Sequence, residues 1–496
     1  MKRFSAQPLI LLIAAGLVLS FGVQGCTTPP EPVQEGSEYA AFPFPTAGNY
    51  ATQPMLPSNI DKAALDTKIF LAFKNVLDND LIFDANAPKS ADAYRIVTRH
   101  YKAWEVEEEE IEFSSLSVSE SQGYGMMMLA YMAGSEPRLD AVGYDWIYDS
   151  ASLQDYYDGM LRAVQAFPSV TGNLMMAWEI WGNGRDDENQ TGYEEIDGVK
   201  VAPFSVDPED GDSATDGDMD IIYSLILADK QWGSDGSYNY LQIAIDMLAD
   251  LWDYCVHDEY HTLLLGDWAK GLDEDESELL DATRSSDFIL DHLKVYAAVD
   301  PAHDWNSVLE ATLGVIKDVR EAEIAAGHDN GLLPDFIIRD GNKWVVPEGE
   351  VLEDEDLDGA HGYNACRNPW RLGTYYLLYG DVALGSGSLE SYVIKPMDTF
   401  ARNFAKAEGL AAFGPFTLDG ELFDWDDQET FVIPFLVTAA AAAADQAWVD
   451  QLWGYPGFML YQEDDYSDFY KVHAMLAAAG YFWSPLETDN EPGAVE

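Results

Sequence analysis

The chain has 496 residues, enough for one large domain or two ordinary ones. Its 47% hydrophobic and 13% aromatic content excludes global disorder. With 88 acidic residues against 27 basic ones, a formal charge of −61 excludes nucleic acid and anionic lipid as partners; its spread along the whole chain fits adaptation to salt better than attraction of a polycation.

The N-terminus reads as a targeting segment. Lys2 and Arg3 precede an apolar core over 9–23, the length of a signal-peptide core. Val23-Gln24-Gly25-Cys26 is similar to a bacterial lipoprotein cleavage site, which would make Cys26 the lipidated residue and limit membrane contact to that anchor. An ordinary cleaved signal is the alternative. Both imply export, to the cell surface, the periplasm or the medium. No later stretch is long and apolar enough to span a bilayer. After a signal peptide over 1–25, residues 26–41 read as a tether, 42–486 as one catalytic domain and 487–496 as an acidic tail. Cys255 and Cys366 are too few for a disulfide scaffold.

The body is expected to be helical. Apolar spacing predicts helices over 61–76, 122–133, 154–167, 219–231, 241–254, 286–298, 305–325, 370–379, 389–407, 432–452 and 469–481. Ser58 or Asp61 should cap the first, and Ser119 a helix whose first turn holds Glu120. Residues 343–346 are a strand candidate. Helices joined by long Gly- and Asp-rich loops fit an all-α ring whose loops form a cleft at one end. A helical solenoid for protein partners would show regular repeats, and none is found.

Two acidic sites stand at the mouths of apolar helices. One is Glu120 in SVSESQGYGMMMLAYMAG (117–134); the other is DSATDGDMD (212–220). Paired carboxylates are the raw material of acid/base chemistry and point to a glycoside hydrolase. A helix start alone would lower the pKa of Glu120; a general acid needs the reverse, through burial or a neighbouring anion, and Asp216 is the obvious supplier. Asp216 and Asp220 share a helix face and Asp218 points elsewhere. The bland reading, acids that merely start helices, competes with this one on spacing alone.

The motifs SESQGYGMMMLAYMAG and SATDGDMDIIYSLILADKQWG resemble the two signatures of glycoside hydrolase family 8. The resemblance runs from residue 42 to 485 through LMMAW (174–178), LGDWA (265–269), TRSSDF, His292, GLLPDF (331–336) and NACRNPWR (364–371). It implies an (α/α)6 barrel with an open cleft and inverting hydrolysis of a β-1,4-linked polysaccharide. A monomer without a cofactor is expected. It makes Glu120 the general acid and sets Asp216 beside it at the cleavage point. Many members carry the base as an aspartate where this chain has Asn364, whose amide accepts no proton at useful pH. The departure resembles a subgroup whose base is a glutamate on the preceding loop, here Glu353, with Glu350, Glu355 and Asp356 as alternatives in register.

The resemblance also singles out Trp178, Trp268 and Phe458 as sugar platforms, with Tyr124, Tyr363 and Arg367 as neighbouring substrate contacts; Asp267 is either a structural partner or a substrate acceptor. Asp354, Asp356 and Asp358 open like a calcium loop, but Ala365 replaces the closing Glu, so a solvated acidic loop is expected in place of a metal site. The acidic stretch 182–211 reads as an insertion on the cleft rim. The subgroup includes glucanases, mixed-linkage glucanases and chitosanases; glucan leads, chitosan follows, xylan is a distant third. A surface lipoprotein that binds glycan without cleaving it is the reading from another class.

Overall fold

The computed structural model describes residues 40–84, 93–96, 102–106, 109–113, 115–147, 150–182, 194–196, 199–201, 204–206, 211–271, 277–354, 356–423, 428–460 and 467–486. The signal peptide, Cys26, most of the tether, Glu355, the acidic tail and much of the insertion over 182–211 lie outside these residues. Residues 36–496 form one compact unit.

Helices alternate along the chain between an outer and an inner layer. The outer ones are Lys62–Asn79, Leu153–Ala166, Tyr240–Cys255, Trp305–Ala326, Lys395–Glu408 and Gln446–Trp453. The inner ones are Ser119–Tyr131, Thr215–Trp232, Leu290–Val299, Asn368–Tyr379, Phe435–Ala442 and Ser467–Ala479. Outer helices are amphipathic: Lys62–Asn79 buries Leu65, Ile69, Phe70, Phe73, Val76 and Leu77 along one stripe. Inner helices are covered all round, and every residue of Ser119–Tyr131 and Ser467–Ala479 is buried. Each inner helix packs on the next, and Ser467–Ala479 packs back on Ser119–Tyr131, closing the ring. The fold is an (α/α)6 barrel.

Boundaries differ from the sequence reading at specific places. The span 432–452 is two helices, because Ala443 turns left-handed (φ 49°) and Asp445 caps the next helix by accepting from the N–H groups of Ala447 and Trp448. Asp61, not Ser58, caps the first helix, accepting from the Ala64 N–H at 2.8 Å; Ser58 instead bonds Asp450. Lys343–Val345 is a strand as expected and pairs with Phe336–Asp340, which pairs with Ala282–Arg284. Further strands were not legible: the hairpin Lys102–Val106/Glu109–Phe113, and a sheet in which Glu179–Gly182 lies between Ser115–Val118 and Phe204–Val206. That sheet ends at Val118, one residue before the helix that carries Glu120. Cys255 and Cys366 are both buried. No helix among the described residues is long and apolar enough to cross a membrane.

Candidate active site

The site grows from the tight meeting of two inner helices. A Cβ on Gly217 would overlap Ser119 Oγ and come within 2.8 Å of the Glu120 backbone nitrogen; one on Gly123 would come within 2.5 Å of Asp220 Cβ. Only glycine lets the Ser119–Tyr131 and Thr215–Trp232 helices approach this closely, and the approach sets Glu120 beside Asp216. Ser119 is not the cap. It is the first helical residue, and its Oγ donates to Glu120 Oε2 at 3.3 Å. Ser121 Oγ reaches back to the Val118 N–H instead.

Two arginines organise the carboxylates. Arg284 Nη2 donates to Asp216 Oδ1 at 3.0 Å, and Arg367 Nη1 donates to Asp216 Oδ2 at 2.6 Å. Arg284 Nη1 also stands 3.9 Å from Glu353 Oε1. Asn364 links the remaining members: its Nδ2 donates to Glu353 Oε2 at 2.9 Å, and its Oδ1 accepts from Arg367 Nη2 at 2.9 Å. Glu120, Asp216, Glu353, Asn364 and Arg367 are thus brought together from four separate segments. The Asn364 amide thus holds the Glu353 carboxylate in place.

Burial and charge push the two helix carboxyls apart. Glu120 is nearly buried, and desolvation, followed by the negative Asp216, raises its pKa to about 7 despite Arg367 and Arg284. Burial would raise Asp216 as well, but Arg284 and Arg367 outweigh it and hold that carboxyl down at about 2. One group keeps a proton near neutrality while its neighbour stays ionised, the division of labour that an acid catalyst and an electrostatic partner need. Glu353 differs from both in being half-exposed, its side chain 44% accessible and open to water.

Asp220 shares the Asp216 face, as the helical spacing implied, but faces inward. It is paired with Arg371 and lies 2.9 Å from His292 Nε2, with the His292 ring stacked on Tyr223. Asp218 points elsewhere and accepts from the Met176 N–H. Asp267 is a structural partner: it accepts from Ser169, Thr171, Asn173 and the Ser213 N–H.

Sequence reasoning missed Arg284, although the TRSSDF motif marked its place. It also missed Asp287 and Asp335. Asp287 Oδ1 accepts from Arg284 Nε and Ser286 Oγ, and burial, with Asp216, raises its carboxyl to about 7. Asp335 Oδ1 accepts from the N–H groups of Gly362 and Ala365 beneath Asn364, and burial lifts its carboxyl to about 8.

The aromatic expectations divide. Trp178 is 42% exposed, and its carbonyl accepts from the N–H of Ser119, the residue before Glu120. Trp268 is half-buried over Gly266, against Leu265, Ala282 and Phe336. Tyr363 is half-buried, its ring edge-on to Phe431. Phe458 is a correction: it is fully buried against Trp453 and offers no face to a sugar. Tyr124 is also fully buried, and its hydroxyl accepts from Arg367 at 3.3 Å, so it supports the cluster from below.

The expectation of a solvated acidic loop needs correction at Asp358. Asp358 is neither solvated nor turned to a metal; it is 1% exposed, and its oxygens accept from the backbone of its own loop. Asp354 Oδ1 accepts from the N–H groups of Asp356 and Leu357. Among the described residues, no three metal-binding side chains converge.

Comparison with known proteins agrees with this geometry. Residues 198–397 match the model of glycosyl hydrolases family 8. A β-glucanase of Niallia circulans is 29% identical over 442 residues, covering 89% of this chain and 91% of that protein. An endoglucanase of Bacillus sp. (strain KSM-330) is 25% identical, covering 90% of this chain and 83% of its own. The apo structure of a β-1,3-1,4-glucanase from Paenibacillus sp. X4 superposes with a TM-score of 0.69 at 29% identity, covering 89% of this chain and 99% of that one. By these matches the chain is similar to glycoside hydrolase family 8, and it is a glycoside hydrolase.

Proposed function

We propose that this endo-acting hydrolase cleaves the β-1,4 bonds of a β-glucan with inversion, with Glu120 as general acid and Glu353 as general base. Glu120 gives its proton to the departing glycosidic oxygen. Glu353 takes a proton from a water that attacks the anomeric carbon from the opposite face. An inverting pair needs a separation of roughly 6.5–9.5 Å to admit that water. Asp216, held ionised, accepts from a sugar hydroxyl and stabilises the positive charge that develops on the ring. The observation that carries this reading is the shared arginine: Arg284 touches both Asp216 and Glu353, while Glu120 beside Asp216 keeps its proton up to about 7.

Glucan is favoured over chitosan because the relatives are named as a β-glucanase and an endoglucanase. Export through the apolar segment over 9–23, with Cys26 as a lipid anchor, belongs to the same reading. The test is reducing-sugar release from carboxymethyl cellulose, mixed-linkage β-glucan and chitosan. Wild type should release sugar from the glucans, and Glu120→Gln should lose about 10²–10⁴-fold in turnover while still binding them. Release from chitosan alone would sink the substrate, release from none would make the protein a binder, and a fully active Glu120→Gln would remove the acid.

A further inference from the structure

Four consecutive backbone N–H groups point at one buried carboxylate. Val351, Leu352 and Glu353 donate to Asp358 Oδ2 at 2.7, 2.9 and 3.2 Å, and Asp354 donates to Oδ1 at 2.9 Å. Successive N–H groups wrapped round an anion form a nest, and here the anion is a side chain of the same loop. Charge-assisted bonds of this kind are about twice as strong as neutral ones. The residue at the centre of the wrapped segment is Glu353.

Asp358 is itself fixed to the barrel. Its carbonyl accepts from the Phe336 N–H at 2.9 Å, and the Ala360 carbonyl accepts from Asp335 at 2.7 Å. Phe336 pairs in register with Arg284. Gly359 lets the turn pass close by, since a Cβ there would meet the Pro347 carbonyl oxygen at 2.8 Å. A continuous path of hydrogen bonds therefore runs from Arg284 through the strand pair to Asp358 and on to the Glu353 backbone. The arginine that holds Asp216 and the loop that presents Glu353 are hung from the same small sheet.

We infer that Asp358 is the positioning residue for Glu353: its carboxylate fixes the exposed 351–354 loop so that Glu353 stands at a set place opposite Glu120. The inference rests on Glu353 being the base. Asp358 touches no substrate and acts only through that loop. The full chain is assayed on mixed-linkage β-glucan as Glu353→Ala, Asp358→Asn and the double variant, with and without azide. In Glu353→Ala, azide can replace the activated water: its nitrogen bonds to the anomeric carbon, the C–O bond to the leaving sugar breaks, and Glu120 supplies the proton to that oxygen.

Asp358→Asn should lose about a hundredfold in kcat, the cost of a reacting group misplaced by roughly 1 Å, with KM little changed. Glu353→Ala should be inactive and regain turnover with azide. Adding Asp358→Asn to the azide-rescued Glu353→Ala should cost nothing more. A Glu353→Ala variant with wild-type turnover would end both the base assignment and this inference. A dead, azide-rescued Glu353→Ala beside a fully active Asp358→Asn would end only the inference, as would a further loss in the rescued double variant. Should Asp358→Asn fail to fold, hydrogen exchange on the wild type decides. Amides 351–354 should be protected in a loop that is otherwise exposed, and exchange at free-loop rates would overturn the claim.

Discussion

Glu120 and Asp216 sit side by side with opposite protonation tendencies, and the two arginines decide which carboxyl keeps a proton. Asp216 has lost nearly all its water, so its charge survives only through Arg284 and Arg367. Replacing it with Asn leaves both guanidiniums buried without an anion between them, at a cost of about 3–5 kcal/mol in stability. The same change lowers the pKa of Glu120, because it removes a negative neighbour and leaves two positive ones unneutralised. A general acid works only while protonated, so activity falls as pH rises through that pKa. With Glu120 as the proposed general acid, the high-pH limb of the rate profile should lie near 7 in the wild type and at lower pH in Asp216→Asn. A limb that stays in place would mean that Glu120 does not set it. At this scale the motifs made Glu120, Asp216, Glu353 and Asn364 legible. Arg284, Asp287 and Asp335 were not, because their roles depend on partners many residues away. Phe458 was misplaced, since a motif position says nothing of which way a ring turns.

The elements were legible wherever a helix had its own apolar stripe, and less so where tertiary contacts decide. Residues 432–452 read as one helix because alanine favours helix throughout; the left-handed Ala443 and the Asp445 cap break it so that the chain can pass from the inner to the outer layer. The strands Ser115–Val118, Glu179–Gly182 and Phe204–Val206 pair across long stretches of chain, which local pattern gives no means of matching. The Ser119–Tyr131 and Thr215–Trp232 helices meet tightly at Gly217. Its replacement by Ala would wedge the two inner helices apart at Ser119 and Glu120. Gly217→Ala should destabilise the fold by about 1–3 kcal/mol through overpacking, and should lower kcat by about a hundredfold through misplacement of the acid. Thermal melts and initial rates measure the two effects separately. A variant that kept full turnover would show that the glycine contact does not set the acid's position.

The whole molecule carries a formal charge of −61, and like charges spread over one compact unit oppose its compactness. Salt should relieve this, since the screening length falls from about 10 Å at 0.1 M to about 3 Å at 1 M. The melting temperature should rise steadily with sodium chloride across that range. A flat or falling curve would show that the acidic surface is not a salt adaptation. Salt should affect the reaction less, because Glu120, Asp216 and both arginines are buried and poorly screened. The barrel itself was legible as a ring of paired helices.

Two carboxylates acting on opposite faces of a sugar leave a stereochemical record. Proton NMR of a short β-glucan oligosaccharide, followed from the first seconds of hydrolysis by the wild type, reads the anomer released before mutarotation blurs it. Glu120 and Glu353 flanking a water predict the α-anomer first. A β-anomer first would mean a covalent sugar–enzyme intermediate and would contradict the assignment of Glu353 as a base.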